Sequence, residues 1–257
     1  MPEQSRGDER AVSELVGYIF VFSLVFLTIG AVSLGGFPTL DDAREREQTQ
    51  NAERAFDVLD SNMAEVYERG APSRSTEINA EDANVLTEEP VTFTVSTTDT
   101  GGHTETTEIQ SEAIVFSGEA ETEFVYQAGA VIRDDPDNPR MLREPPFNTS
   151  DKRTMISLVE LDSSGPQTAG GGGVLVRAES SSSQRSWAVA DTSTDTTEVD
   201  EMEITVEDSP REEVWKEYFE TELGLDCDTG NDLECDTTDL GTQTFVVVNE
   251  IDIELER

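Results

Sequence analysis

The chain has 257 residues, of which 56 are acidic and 17 basic, a net charge of −39. All but two of those net negative charges fall beyond residue 40, so the bulk of the molecule repels phosphate backbones and anionic headgroups, which excludes a nucleic-acid partner. A single histidine, His103, excludes by count a histidine-rich zinc site, and its place beside a Gly-Gly turn in a threonine-rich loop reads as a solvated loop residue and not as the base of a Ser-His-Asp triad. Acidic residues are interspersed with apolar ones throughout and do not form one block, the pattern of a folded body and not of a solvated tail.

The first ten residues, MPEQSRGDER, are short and polar and lead into an apolar run from Leu15 to Leu34. As a helix these residues span roughly 30 Å, the thickness of a bilayer's hydrocarbon core, and predict a membrane helix. Ser23, Thr28 and Ser33 interrupt the run, and such hydroxyls can bond back to the helix's own carbonyls. A secretory signal has a shorter apolar core with a small-residue cleavage site behind it; here Gly35, Gly36, Phe37 and Pro38 follow and predict a break. A second helix is expected over Asp41–Arg69. Ala52, Ala55, Phe56, Leu59, Met63, Val66 and Tyr67 form one apolar stripe at spacings of three and four, and Gly70 and Pro72 end it.

From Ser75 the period changes to two. Val91, Phe93 and Val95, then Ile114 and Phe116, Phe124 and Tyr126, Ile156 and Leu158, Val174 and Val176, and Ile204 and Val206 alternate with polar neighbours, and a last strand covers about Thr244 to Leu255. Gly101–Gly102, Asp134–Pro139, Gly170–Gly173 and Ser180–Ser183 are read as turns. Short strands at this spacing argue an antiparallel sandwich or sheet, with one inserted helix over Pro210–Leu223 carrying Val214, Trp215, Tyr218 and Phe219 on one side. Trp215 reads as a packing anchor.

Cys227 and Cys235 are the only cysteines, candidates for a disulfide if this part faces an oxidising exterior. Around them Asp226, Asp228, Asp232 and Glu234 place oxygen ligands near Gly230, a candidate calcium loop whose spacing does not match the helix-loop-helix calcium motif. Asn148-Thr149-Ser150 is the one N-glycosylation sequon, in a proline-flanked segment expected to be a loop. Gly170–Gly173 lacks the Lys-Ser or Lys-Thr of a phosphate loop, and the many carboxylates single out no acid-base pair.

The stretch Arg10, Ala11, Val12, Ser13, Glu14, Leu15, Val16, Gly17 resembles the start of archaeal type IV pilins, particularly haloarchaeal ones. The resemblance covers about residues 8 to 34. It implies that a prepilin peptidase cuts after Ala11 and leaves Val12 as the new N-terminus, while the apolar helix stays as membrane anchor and filament core. Glu14 then stands in the first turn, where the helix macrodipole favours a carboxylate. Arginines flank both ends of the apolar run, Arg6 and Arg10 before it and Arg44, Arg46 and Arg54 after it, so orientation rests on the resemblance: N-terminus cytoplasmic, C-terminal domain extracellular. The acidic surface, with fifteen arginines against only Lys152 and Lys216, resembles proteins of extremely halophilic archaea, where molar salt screens such a charge.

The sequence thus points to an α+β chain: leader 1–11, transmembrane helix 12–37, amphipathic helix 38–70 and an extracellular β-rich domain 71–257. The expected role is a pilin-like subunit or minor pilin of the archaeal envelope, structural or adhesive and not enzymatic. The expected partners are the lipid bilayer, other pilin subunits and prepilin peptidase. Rival readings are a solitary membrane-anchored surface protein whose β domain binds a ligand and, third, an external hydrolase, for which no nucleophile-base pair is visible.

Overall fold

The computed structural model describes residues 6–118, 121–150, 153–165, 167–181, 185–190, 199–230, 232–238, 240 and 244–257, with side chains described except at 6–14, 34–42 and 185–190. The chain divides into two compact units, Met1–Gln48 and Thr49–Arg257. Helix α1 runs unbroken over Arg6–Tyr67, 62 residues, so the break expected at Gly35–Pro38 does not occur. Pro38 removes one backbone donor, and the helical backbone continues on both sides of it. It ends as expected: Gly70 takes φ +67°, and the Ala71 amide donates to the Glu65 carbonyl at 3.0 Å.

Among the described residues, thirteen strands form one mainly antiparallel sheet: β1 (Ser73–Asp99), β2 (Thr104–Ser117), β3 (Glu123–Gln127), β4 (Ala130–Asp134), β5 (Arg140–Arg143), β6 (Phe147–Ser150), β7 (Arg153–Ser163), β8 (Thr168–Ser180), β9 (Arg185–Ala190), β10 (Val199–Glu207), β11 (Asp226–Thr229), β12 (Leu233–Thr237) and β13 (Thr244–Glu256). Helix α2 (Glu212–Thr221) lies between β10 and β11 in the chain. The main path is β5-β4-β3-β2-β1-β8-β13-β7-β6, and only the β13–β7 pair is parallel among the described pairings.

β1 organises this sheet. One edge pairs with β2 along most of its length, while the other pairs with β8 over Ser73–Leu86 and with β10 over Thr92–Asp99. The fork sits at a bulge between Glu88 and Val91, where Pro90 has no amide to give a ladder. One extra residue there reverses the face on which alternate side chains fall. Val85 therefore joins one core and Val91, Phe93 and Val95 the other, while Ile78 shares the core of Val85 because a second irregularity of β1, between Ala80 and Asn84, has already shifted the alternation.

The first of these cores is covered by α1, whose Ala52, Phe56, Leu59, Met63 and Val66 are buried against Ile114, Phe124, Tyr126, Val174 and Ile251. The second is covered by α2. Trp215, fully buried, packs edge-on to Phe93 with ring centroids 5.0 Å apart, and Val214, Tyr218 and Phe219 join it. β7 and β13 serve both cores, Ile156, Leu158, Val246 and Val248 in the α2 core and Val159, Leu161, Ile251 and Ile253 in the α1 core. The sheet folds back on itself where buried Ser111 of β2 donates its hydroxyl to the Val159 carbonyl (3.1 Å) and accepts the Leu161 amide (3.2 Å).

Two glycine segments show what the fold asks of them. The β3–β4 hairpin turns on Ala128 (φ +50°) and Gly129 (φ +86°), and a Cβ on Gly129 would lie 2.6 Å from Pro146 Cδ. Gly170–Gly173, expected as a turn, instead lies inside β8 opposite the bulge of β1 between Ala80 and Asn84. The reason is close approach: a Cβ on Gly170 would meet the Ala83 carbonyl oxygen at 2.5 Å, and one on Gly173 the Glu77 Oε1 at 2.7 Å. Of the expected Ser180–Ser183 turn, Ser180 ends β8, and Ser182 and Ser183 lie outside the described residues.

Candidate functional site

The candidate site begins with the apolar part of α1. Leu15–Ser33 has a mean hydropathy of 2.4 over 19 residues and none of it is buried within the protein. Phe22, Leu24 and Leu27 are 65%, 66% and 73% exposed, so the helix carries a full apolar circumference and not the one-sided stripe of a core helix. The Thr28 hydroxyl donates to the Leu24 and Val25 carbonyls at 2.9 and 2.8 Å, which satisfies it without water. Arg10, Ala11, Val12 and Glu14, the candidate processing residues, lie in the helical backbone, and their side chains lie outside the described ones.

β11 and β12 form a short hairpin in which Cys227 and Cys235 are directly opposed, joined by a disulfide with Cα atoms 4.1 Å apart. Cys235 is fully buried against the α2 core. Strand alternation turns the flanking acids the other way: Asp226, Asp228, Glu234 and Asp236 are exposed and stand in opposed pairs, Asp226 with Asp236 and Asp228 with Glu234. The segment read as a calcium loop is thus a ladder with Asp232 in its turn, and Asn231 lies outside the described residues. Among the described residues no three His, Cys, Asp or Glu side chains converge to hold a metal ion.

Asn148, expected in a loop, lies in the edge strand β6, exposed and paired with Met155. His103 closes the β1–β2 turn, where Asp99 Oδ1 accepts the amides of Gly101 and His103, both at 2.8 Å.

Two ionic clusters are absent from any local reading of the sequence. Arg211, at the N-terminus of α2 with its side chain 3% exposed, donates to both Glu88 oxygens (2.7 and 3.3 Å) and to Asp134 (3.1 Å), with Glu123 at 3.7 Å. It ties α2 to the bulge of β1 and to the β3–β4 hairpin. On the other face, burial pushes the Asp60 carboxyl of α1 up to about 6; Arg143 opposes this while Asp57 and Glu68 add to it. Nearby, burial raises the Tyr67 and Tyr126 hydroxyls further from ionisation, and the fully buried Tyr126 hydroxyl has no hydrogen-bond partner among the described residues.

A cleft of about 320 Å³ is lined by Asp162, Arg177, Glu179, Asp252 and Glu254. Asp162, Asp252 and Glu179 stand in register across β7, β13 and β8, and burial, then Asp162, Glu250 and Glu179, raise the Asp252 carboxyl. Arg177 pairs there with Glu179 and Glu256, at 2.9 and 3.3 Å.

Fold and site together define an α+β protein with one N-terminal helix apolar enough to cross a membrane and a mainly antiparallel β body. The chain belongs to a family of unknown function, DUF7289, whose model matches residues 10–254. No curated protein and no solved structure matches it.

Proposed function

We propose that this protein is a pilin-like subunit or minor pilin of an archaeal cell envelope. Its apolar helix sits in the membrane with the N-terminus cytoplasmic, and its β body stands outside as a structural or adhesive domain. The observation that carries the reading is the unburied apolar span Leu15–Ser33 immediately behind Arg10-Ala11, in the same helix as an amphipathic stripe buried in the body. The Cys227–Cys235 disulfide supports an oxidising side for the body, since cytosolic thiols are held reduced. The folded-back sheet with a core on each face supports reading the body as a sandwich-like domain.

The test is the N-terminus of the mature protein from the membrane fraction. A start at Val12 that is lost when the peptidase is deleted, and blocked by Arg10→Glu with Ala11→Asp, is the expected result. A chain that keeps its Met1 or Pro2 start refutes the pilin reading and favours the solitary anchored surface protein; one that begins beyond Leu34 is secreted, which refutes both.

A further inference from the structure

β13 follows every other described strand in the chain, yet it lies in the interior of the sheet. Its first half is hydrogen-bonded between β7 and β9, over Thr244–Val248, and its second half between β7 and β8, over Ile251–Ile253. It also divides its side chains between the two cores: Val246 and Val248 lie with Trp215 and Phe93, and Ile251 and Ile253 lie with the α1 stripe.

Polar contacts seat it further. Buried Asn249 donates its amide to Ser157 Oγ (2.9 Å) and to the Leu158 carbonyl (3.3 Å) on β7. Gln167 bridges β13 to β1: its side chain accepts the Leu255 amide and donates to the Ile253 carbonyl, while its backbone amide donates to Thr87 Oγ1. Without β13 the facing ladders of β7 and β8 would lie open, and β9 would lose the strand it pairs with. Both cores would lose apolar cover at once, including the cover over α1.

We propose that β13 is the closing strand of the body, so that neither core, nor the seat of the α1 stripe, is stable until residues 244–256 are in place. The cooperative unit then spans α1, the sheet and α2 together, with no stable partial body made from β1–β8 alone. If the body is external, a consequence that rests on the function proposed above, the chain crosses the membrane open and closes only after residues 244–256 have followed.

Native-state hydrogen exchange on the full chain in molar salt tests this with two core-trimming variants. Val248→Ala, in the α2 core, is expected to accelerate the slowest amides of β13 roughly 30-fold, and Ile253→Val, in the α1 core, roughly fivefold. Each factor should reappear unchanged at the slow amides of the α1 stripe, Ala52–Val66, and of β2 and β3, none of which pairs with β13. Acceleration confined to β13 and its neighbours β7–β9, with the α1 stripe unmoved in both variants, would overturn the proposal. Either result leaves the mature N-terminus unaffected, so this proposal and the pilin reading fail separately.

Discussion

Replacing Arg211 by Met removes a guanidinium whose side chain is 3% exposed and strands the carboxylates it serves, Glu88, Glu123 and Asp134, which are 32%, 34% and 31% exposed. Removing one member of a buried ion pair costs about 3 to 5 kcal/mol, because the remaining charge keeps its desolvation and loses its partner. Here the carboxylates retain partial access to water, which places the expected loss near the lower end, about 3 kcal/mol at low salt. Their mutual repulsion is screened when the Debye length falls to about 3 Å near 1 M salt, so the loss should shrink to roughly half there. Urea unfolding at fixed salt, followed by tryptophan fluorescence, to which Trp215, four positions along and fully buried, contributes beside Trp187, reads the change. Arg211→Lys keeps the charge but not the two-pronged contact with Glu88, and should fall between Met and wild type. As a control, Arg74→Met breaks a more exposed pair with Glu65 and should cost less than about 1 kcal/mol. A Met variant at position 211 within about 0.5 kcal/mol of wild type, at low salt, would refute the assignment of Arg211 as the tie between α2 and the sheet.

Two further outcomes are expected. Because the Asp60 carboxyl titrates at about 6 in the fold against an ordinary value of 3.8, the fold holds this proton more tightly than the unfolded chain does; its contribution is full below about pH 4 and is lost as the pH rises to about 6. Asp60→Asn should therefore raise the melting temperature at pH 7 by the equivalent of about 1 to 2 kcal/mol after discounting for solvent screening, and change it little at pH 4; an equal shift at both pH values would contradict the burial argument. Reducing the Cys227–Cys235 bridge opens a nine-residue loop worth about 2 to 3 kcal/mol in the chain-entropy model, so the reduced protein should melt earlier while keeping its β signature. Alkylation of both thiols without prior reduction would show that the bridge is absent from the native protein.

Much of the secondary structure was legible because it depends on near neighbours. A run of twenty residues interrupted only by Ser23, Thr28 and Ser33 specifies a helix of membrane length by composition alone, the three-and-four spacing from Ala52 to Val66 marks one buried face, and alternation marks β2, β3, β7, β10 and β13. The Val214, Trp215, Tyr218 and Phe219 face of α2 follows from the same periodicity, and all four are buried. Period two, however, says that a strand has two faces and not which core each half of it serves. That was decided by the bulge at Glu88–Val91, where a single unpaired residue exchanges the faces of β1, and by Ser111, which folds β2 onto β7. Gly170–Gly173 has the composition of a turn, and only the backbone of β1 pressing on it makes it a strand. The acids around Cys227 look like a ligand loop in sequence, and the register of β11 against β12 spreads them along a ladder. Arg211 had no local signal, because its partners are 77 to 123 residues away and meet it only when the sheet is paired. Local pattern chose the elements; long-range pairing, which no window of the sequence contains, chose their faces, their neighbours and the charges they bring together.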